Sequence, residues 1–146
     1  PLRFDPANFV QAHGSTPEDK ARFATRFSAF VRSDFSSSSV QFPKWFYTQL
    51  SNTFGHIAHF NQAGFYGTFF ETTADKVRFL RQCAEWPCYG DPGYTYSDVE
   101  RAIQKWLVMD GALKRYTVKL LAENEANERA QLAALKAKYE SVGGVS

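Results

Sequence analysis

Thr16-Pro17-Glu18-Asp19-Lys20-Ala21-Arg22-Phe23-Ala24-Thr25-Arg26-Phe27-Ser28-Ala29-Phe30-Val31 is the run that decides the fold. Thr16 can cap a helix, Pro17 suits its first position, and Glu18 and Asp19 favour the positive end of the helix dipole. Phe23, Phe27, Phe30 and Val31 then recur at i, i+4, i+7 and i+8, which is one helical face. Glu18, Arg22 and Arg26 advance in steps of four along another side, where Glu18 can pair with Arg22 and where arginines ordinarily meet solvent. A helix carrying three phenylalanines on one face must bury that face against other apolar elements.

Similar signals recur on both sides of this run. Asp5-Pro6 reads as a helix start, with Phe9 and Val10 as its apolar side and Gly14 able to close it in the left-handed conformation. Pro43 opens a third helix in which Phe46, Leu50, Phe54 and Ile57 share a face beside Trp45, ending near Asn61 to Gly64. Phe65 to Phe70 has strand-like residues around a central glycine and is expected to be irregular, with at most one short hairpin near 65–70. Thr72 or Thr73 caps a fourth helix carrying Val77, Leu80 and Cys83, which Pro87 stops. Pro92-Gly93 suits a type II turn. Ser97 with Glu100 reads as a capping box for a fifth helix, with Val99, Ile103, Trp106 and Leu107 inside. Asp110-Gly111 is a break or a weak point in a longer helix, and Ala112 to about Tyr139 is rich in strong helix formers. The expected fold is therefore all-α: a five- or six-helix globular domain with an aromatic core and a long C-terminal helix.

Composition supports that division. All 14 Phe of the 146 residues fall between Phe4 and Phe79, whereas beyond Trp106 the aromatics are Tyr116 and Tyr139. Residues 1–110 thus form an aromatic-rich helical domain and 111–146 a long helix with a frayed tail, within one structural unit. From Phe35 to Phe70 the formal charge is Lys44 alone, which points to burial. The net charge of +2, from 17 basic and 15 acidic residues, is too weak to make nucleic acid an obligatory partner and does not forbid one. No apolar run approaches the roughly 18 residues of a membrane span, and Pro1 to Asp5 lacks the apolar core of a signal peptide. No membrane partner and a cytoplasmic setting are expected. Two cysteines exclude a disulfide-dense scaffold.

Chemistry has few places to sit. His56 and His59 share a helical face, and Cys83 and Cys88 lie five apart across a helix end. Together they make a sufficient set for tetrahedral zinc, although neither pair forms a Cys-x-x-Cys knuckle and nothing forces the pairs together. The plainer reading is two core histidines and two ordinary thiols, hence no cofactor, with zinc as the alternative. A disulfide between Cys83 and Cys88 is sterically open, and thiols are expected in a chain without export signals. No nucleophile elbow, phosphate-binding glycine loop or His-Glu-x-x-His occurs, and the acids of the aromatic region fall at helix ends and turns. No enzymatic activity is expected.

The segment from Trp86 to Tyr96 offers a binding surface instead. Trp86, Tyr89, Tyr94 and Tyr96 surround a rigid turn, and aromatics on preorganised loops anchor partners at low entropic cost. Arg78, Arg81, Arg101 and Lys105 would suit a phosphate backbone if they shared a face. In the C-terminal helix, Leu113, Leu120 and Leu121 form a stripe for the aromatic domain. Leu121, Glu125, Glu128, Leu132, Leu135 and Tyr139 advance in alternating steps of four and three, so a second copy could cover the outer part as a homodimer.

Phe54-Gly55-His56-Ile57-Ala58-His59-Phe60-Asn61, Gly64-Phe65-Tyr66, Pro87-Cys88-Tyr89-Gly90-Asp91-Pro92 and Ser97-Asp98-Val99-Glu100-Arg101-Ala102 carry a resemblance. Over residues 42–107 the chain resembles small bacterial proteins of unassigned function associated with plasmids, phages and other mobile elements. The resemblance places Cys88 and the two histidines in a shared pattern and implies no catalytic activity. It implies an accessory protein that binds a protein or a nucleic acid–protein complex, for instance to inhibit a host defence complex. A direct nucleic-acid binder is the alternative, and a small zinc-stabilised module or enzyme a second one.

Overall fold

The computed structural model describes residues 4–53, 61–85 and 90–143. Six α-helices follow a short 3-10 turn among them: α1 (Pro17–Arg32), α2 (Lys44–Thr53), α3 (Gln62–Phe69), α4 (Thr73–Glu85), α5 (Ser97–Asp110) and α6 (Ala112–Gly143). The expected all-α fold with a long final helix is what the chain adopts.

Thr16 Oγ1 accepts the Asp19 amide and the Asp19 carboxylate accepts the Thr16 amide, so the predicted start of α1 is a full capping box. Phe23, Phe27 and Phe30 are completely buried. Around Phe30, the rings of Phe35, Phe42, Phe46 and Phe70 have their centroids 5.2, 5.2, 5.4 and 4.9 Å away. Three of these contacts are edge-to-face, the arrangement that the ring quadrupole favours. From α5, Val99, Ile103, Trp106 and Leu107 complete the core, and Phe79 and Leu80 enter it from α4.

Several local readings are corrected. Asp5 does cap, accepting the Ala7 amide, but the element is a 3-10 turn of Pro6–Asn8 rather than a helix to Gly14. Gly14, at φ +86°, instead lies in the tight link between Ala12 and Ser15. Residues 65–69, expected to be irregular or strand-like, belong to α3, and no strand occurs among the described residues. Asn61, read as a helix end, is the cap that starts α3: its Oδ1 accepts the Gly64 amide at 2.7 Å. The other end of the third predicted helix, with Phe54 and Ile57, lies outside the described residues. At α5 the cap position is Tyr96, whose side chain makes no capping bond, while Ser97 and Glu100 are buried inside the helix. The positive-φ glycines among the described residues are Gly14 and Gly111, so Pro92-Gly93 is not a type II turn. Asp91 builds that turn: its side chain accepts the Gly93 amide and its carbonyl the Tyr94 and Thr95 amides.

After α1 the chain reverses through Asp34 and Phe35, both left-handed, at φ 59° and 55°. Two such non-glycine residues cost about 1–2 kcal/mol each. Burial of the Phe35 ring offsets this, as does the Asp34 carboxylate, which accepts the Tyr116 hydroxyl at 2.5 Å and pairs with Lys76 at 3.1 Å. Burial works against the Asp34 charge, but the Tyr116 and Lys76 hydrogen bonds outweigh it and hold the carboxyl below its usual range. A folded-state value below the unfolded one stabilises above the unfolded value and is lost as pH falls through the folded one. Asp34→Asn keeps a residue tolerant of the left-handed backbone. It is expected to lower the melting temperature at pH 7, and the gap to wild type should close below about pH 4. A gap of constant size in melts across that range would contradict this.

Gly111 closes α5 in the left-handed conformation at φ +74°, as the Asp110-Gly111 break predicts. Arg115 grips the break, donating to the Asp110 carbonyl at 2.6 Å and meeting its carboxylate at 2.8 Å. The first part of α6 then lies on α4, burying Ala112 and Tyr116, with Leu113 and Leu120 partly covered. Leu121, expected on that docked stripe, is 63% exposed. α6 turns the side of Leu120 and Glu123 to α4, where Glu123 accepts the Thr73 hydroxyl at 3.0 Å, and every residue from 121 to 140 is exposed. Among the described residues no helix is long and apolar enough to cross a membrane.

Candidate binding surfaces

The residues expected to bind a partner are dispersed. Trp86 and Tyr89 lie outside the described residues. Tyr94 is 76% exposed at the tip of the Asp91 turn. Tyr96 is half-buried, edge-on to Phe23, and donates to Ser15 Oγ at 3.2 Å. Arg78 pairs with Asp75 and donates to the Thr68 carbonyl, and Arg81 faces Glu85. Both arginines line a groove between α4 and α6. Arg101 and Lys105 are exposed one turn apart on α5. These four cations therefore belong to two separate surfaces. Of the metal candidates, His56, His59 and Cys88 lie outside the described residues. Cys83 is a free, fully buried thiol. Burial, and then the charge of Glu100, push it well above the usual thiol range. Such a thiol is a poor nucleophile.

A more concentrated surface forms where α1 meets α2. The Arg22 guanidinium lies over the Trp45 ring, 4.0 Å from its centroid. Stacked in this way, each side chain holds the other in place. Two grooves flank the pair. One, of about 590 Å³, is bordered by Phe4, Arg22, Arg26, Val40 and Trp45, and among the described residues no acid lines it. Arg26 is fixed there by a 2.8 Å bond to Gln41. The other groove, of about 210 Å³, runs between Trp45, Gln49, Asp19 and Tyr96. Tyr96, expected on a binding surface, lines the second groove, and Trp45, Arg22 and Arg26 join it from outside the expected set. Arg22 and Trp45 come from different helices, so the stack has no signature in the sequence.

The floor of this region is rigid. Lys20 is completely buried, yet its ammonium pairs with both Asp98 oxygens, at 3.0 and 3.1 Å, and donates to the Pro92 carbonyl at 2.8 Å. Asp98 also accepts the Val10 amide at 3.0 Å. One carboxylate thereby ties the N-terminal segment, α1, the Asp91 turn and α5 together. No family model, curated protein or solved structure matches the chain.

Proposed function

We propose that this chain is a non-catalytic accessory protein that acts by binding a protein or a nucleic acid–protein complex. The Arg22–Trp45 stack carries the reading. Trp, Tyr and Arg dominate binding energy at interfaces, where they fill preformed pockets. Here all three border two grooves on a rigid base. The resemblance to mobile-element proteins supports a cytoplasmic setting and a task such as inhibiting a host defence complex. Self-pairing through α6 gives a homodimer that presents two such faces, which multiplies affinity for a partner with repeated sites.

The test is a pull-down from bacterial lysate with wild type, Trp45→Ala and Arg22→Ala, with and without nuclease. A partner that survives nuclease and falls at least about tenfold with either variant, at retained helicity, is the expected result. Equal capture by all three would sink the proposal. The acid-free lining beside Arg22 and Arg26 favours a second reading, direct nucleic-acid binding. That reading requires affinity to fall by nearly one log unit per log unit of salt for each phosphate neutralised.

A further inference from the structure

We infer that a second copy of this chain covers the outer half of α6, packed antiparallel, and that the partner's Tyr139 closes the groove between α4 and α6. The inference rests on the dimer reading above and gives it an orientation and a site. Leu121, Leu132, Leu135 and Tyr139 are 63, 53, 52 and 63% exposed. At 3.6 residues per turn they fall within about 60° of the helix circumference. An isolated helical stretch of this length is marginal in water unless such a stripe is covered.

Charge selects the occupant. On the side of α6 that carries the stripe, Glu125 and Glu128 form an acidic block in its first half and Lys136 stands in its second; Arg129 is paired with Glu125 of its own helix at 2.8 Å, and Glu123 points the other way and accepts the Thr73 hydroxyl at 3.0 Å. Two copies side by side in antiparallel set Glu125 beside the partner's Lys136. A parallel pair in register sets like charges together, and Glu128, on the stripe, and Glu125, at its edge, would face their own copies. The acidic block also disfavours a nucleic-acid backbone on this face. Fold-back within one copy is closed off, because α6 runs unbroken from Ala112 to Gly143.

The groove supplies the second half of the contact. Its volume is about 460 Å³, and Val77, Arg78, Arg81, Leu120 and Leu121 line it where α6 leaves the body. In an antiparallel pair whose stripes overlap fully, Leu121 lies level with the partner's Tyr139. That ring can enter the groove with its apolar face on Val77 and Leu120 and with Arg78 and Arg81 at its edge. A phenol suits this place, since its hydroxyl can stay in solvent.

Sedimentation equilibrium of the full chain tests the association, and disulfide trapping tests its orientation. Wild type is expected as a dimer. Leu132→Glu/Leu135→Glu should dissociate it by more than about a hundredfold at unchanged helicity of the body. Lys136→Glu should also weaken it, and mixing that variant with Glu125→Lys should restore a dimer. In a Cys88→Ser background, Leu121→Cys mixed with Tyr139→Cys should trap 121–139 disulfides in preference to 121–121. Monomers at every concentration, masses above the dimer, or dominant 121–121 disulfides would each overturn the inference. Trp45-dependent capture is read separately, so a monomer that still captures a partner rejects the antiparallel pair and leaves the binding reading standing.

Discussion

Phe30→Ala is expected to cost about 3–5 kcal/mol, the range for truncating a fully buried phenylalanine. Its side chain is completely buried and meets four rings from three other parts of the chain: Phe35 and Phe42 in the α1–α2 connection, Phe46 in α2 and Phe70 after α3. Truncation leaves a void that these rings can fill only by abandoning their mutual geometry, stacked for Phe35 and Phe70 and edge-to-face for Phe42 with Phe46 and Phe70. A domain of this size has a stability of about 5–15 kcal/mol, so the variant should retain half or less of it in many cases. Urea denaturation gives the number directly. A loss below about 1.5 kcal/mol would show that the cluster repacks freely and that Phe30 is not its centre.

Asp98→Ala is expected to cost a comparable amount, about 3–5 kcal/mol, for a different reason. The variant leaves the fully buried Lys20 ammonium with the Pro92 carbonyl and the Tyr96 ring but no counter-charge, and removes the acceptor of the Val10 amide. The reverse change should be milder. Lys20→Met preserves volume, and Asp98 keeps its backbone donors and some access to solvent, its side chain being 16% exposed. The order of the two melting temperatures is therefore the decisive observation: Lys20→Met above Asp98→Ala. The opposite order would mean that the pair is held by packing of the lysine stem and not by its charge.

What could be read in the sequence depended on whether cap and period agreed. In α1, Thr16 and the phenylalanine spacing pointed the same way, and Asp110-Gly111 marked a break that the αL geometry of Gly111 confirms. In α3 they did not. Gln62–Phe69 contains two glycines and four apolar or aromatic residues with no clear face, so its helix comes from the Asn61 cap and from burial of Phe65 and Phe69. Lys20 was legible in principle: it stands three before Phe23 and seven before Phe27, on the core face, and a lysine there must have a partner. Arg22 was read as solvated and Trp45 as a neighbour of the core, because what joins them is tertiary. Leu121 was placed on the docked stripe, but it lies about 100° around the helix from Leu120, whose side meets the body as far as the bond between Thr73 and Glu123.

Amide hydrogen exchange along α6, followed at low and high protein concentration, tests most directly whether the helix has a docked half and a binding half. Amides of residues 115–120 should be protected at both concentrations, because Tyr116 and Leu120 are packed on the body. Amides of residues 125–139 should exchange rapidly in the dilute protein and slow by an order of magnitude or more as the second copy binds. Exchange across 125–139 that is fast and independent of concentration would contradict the division.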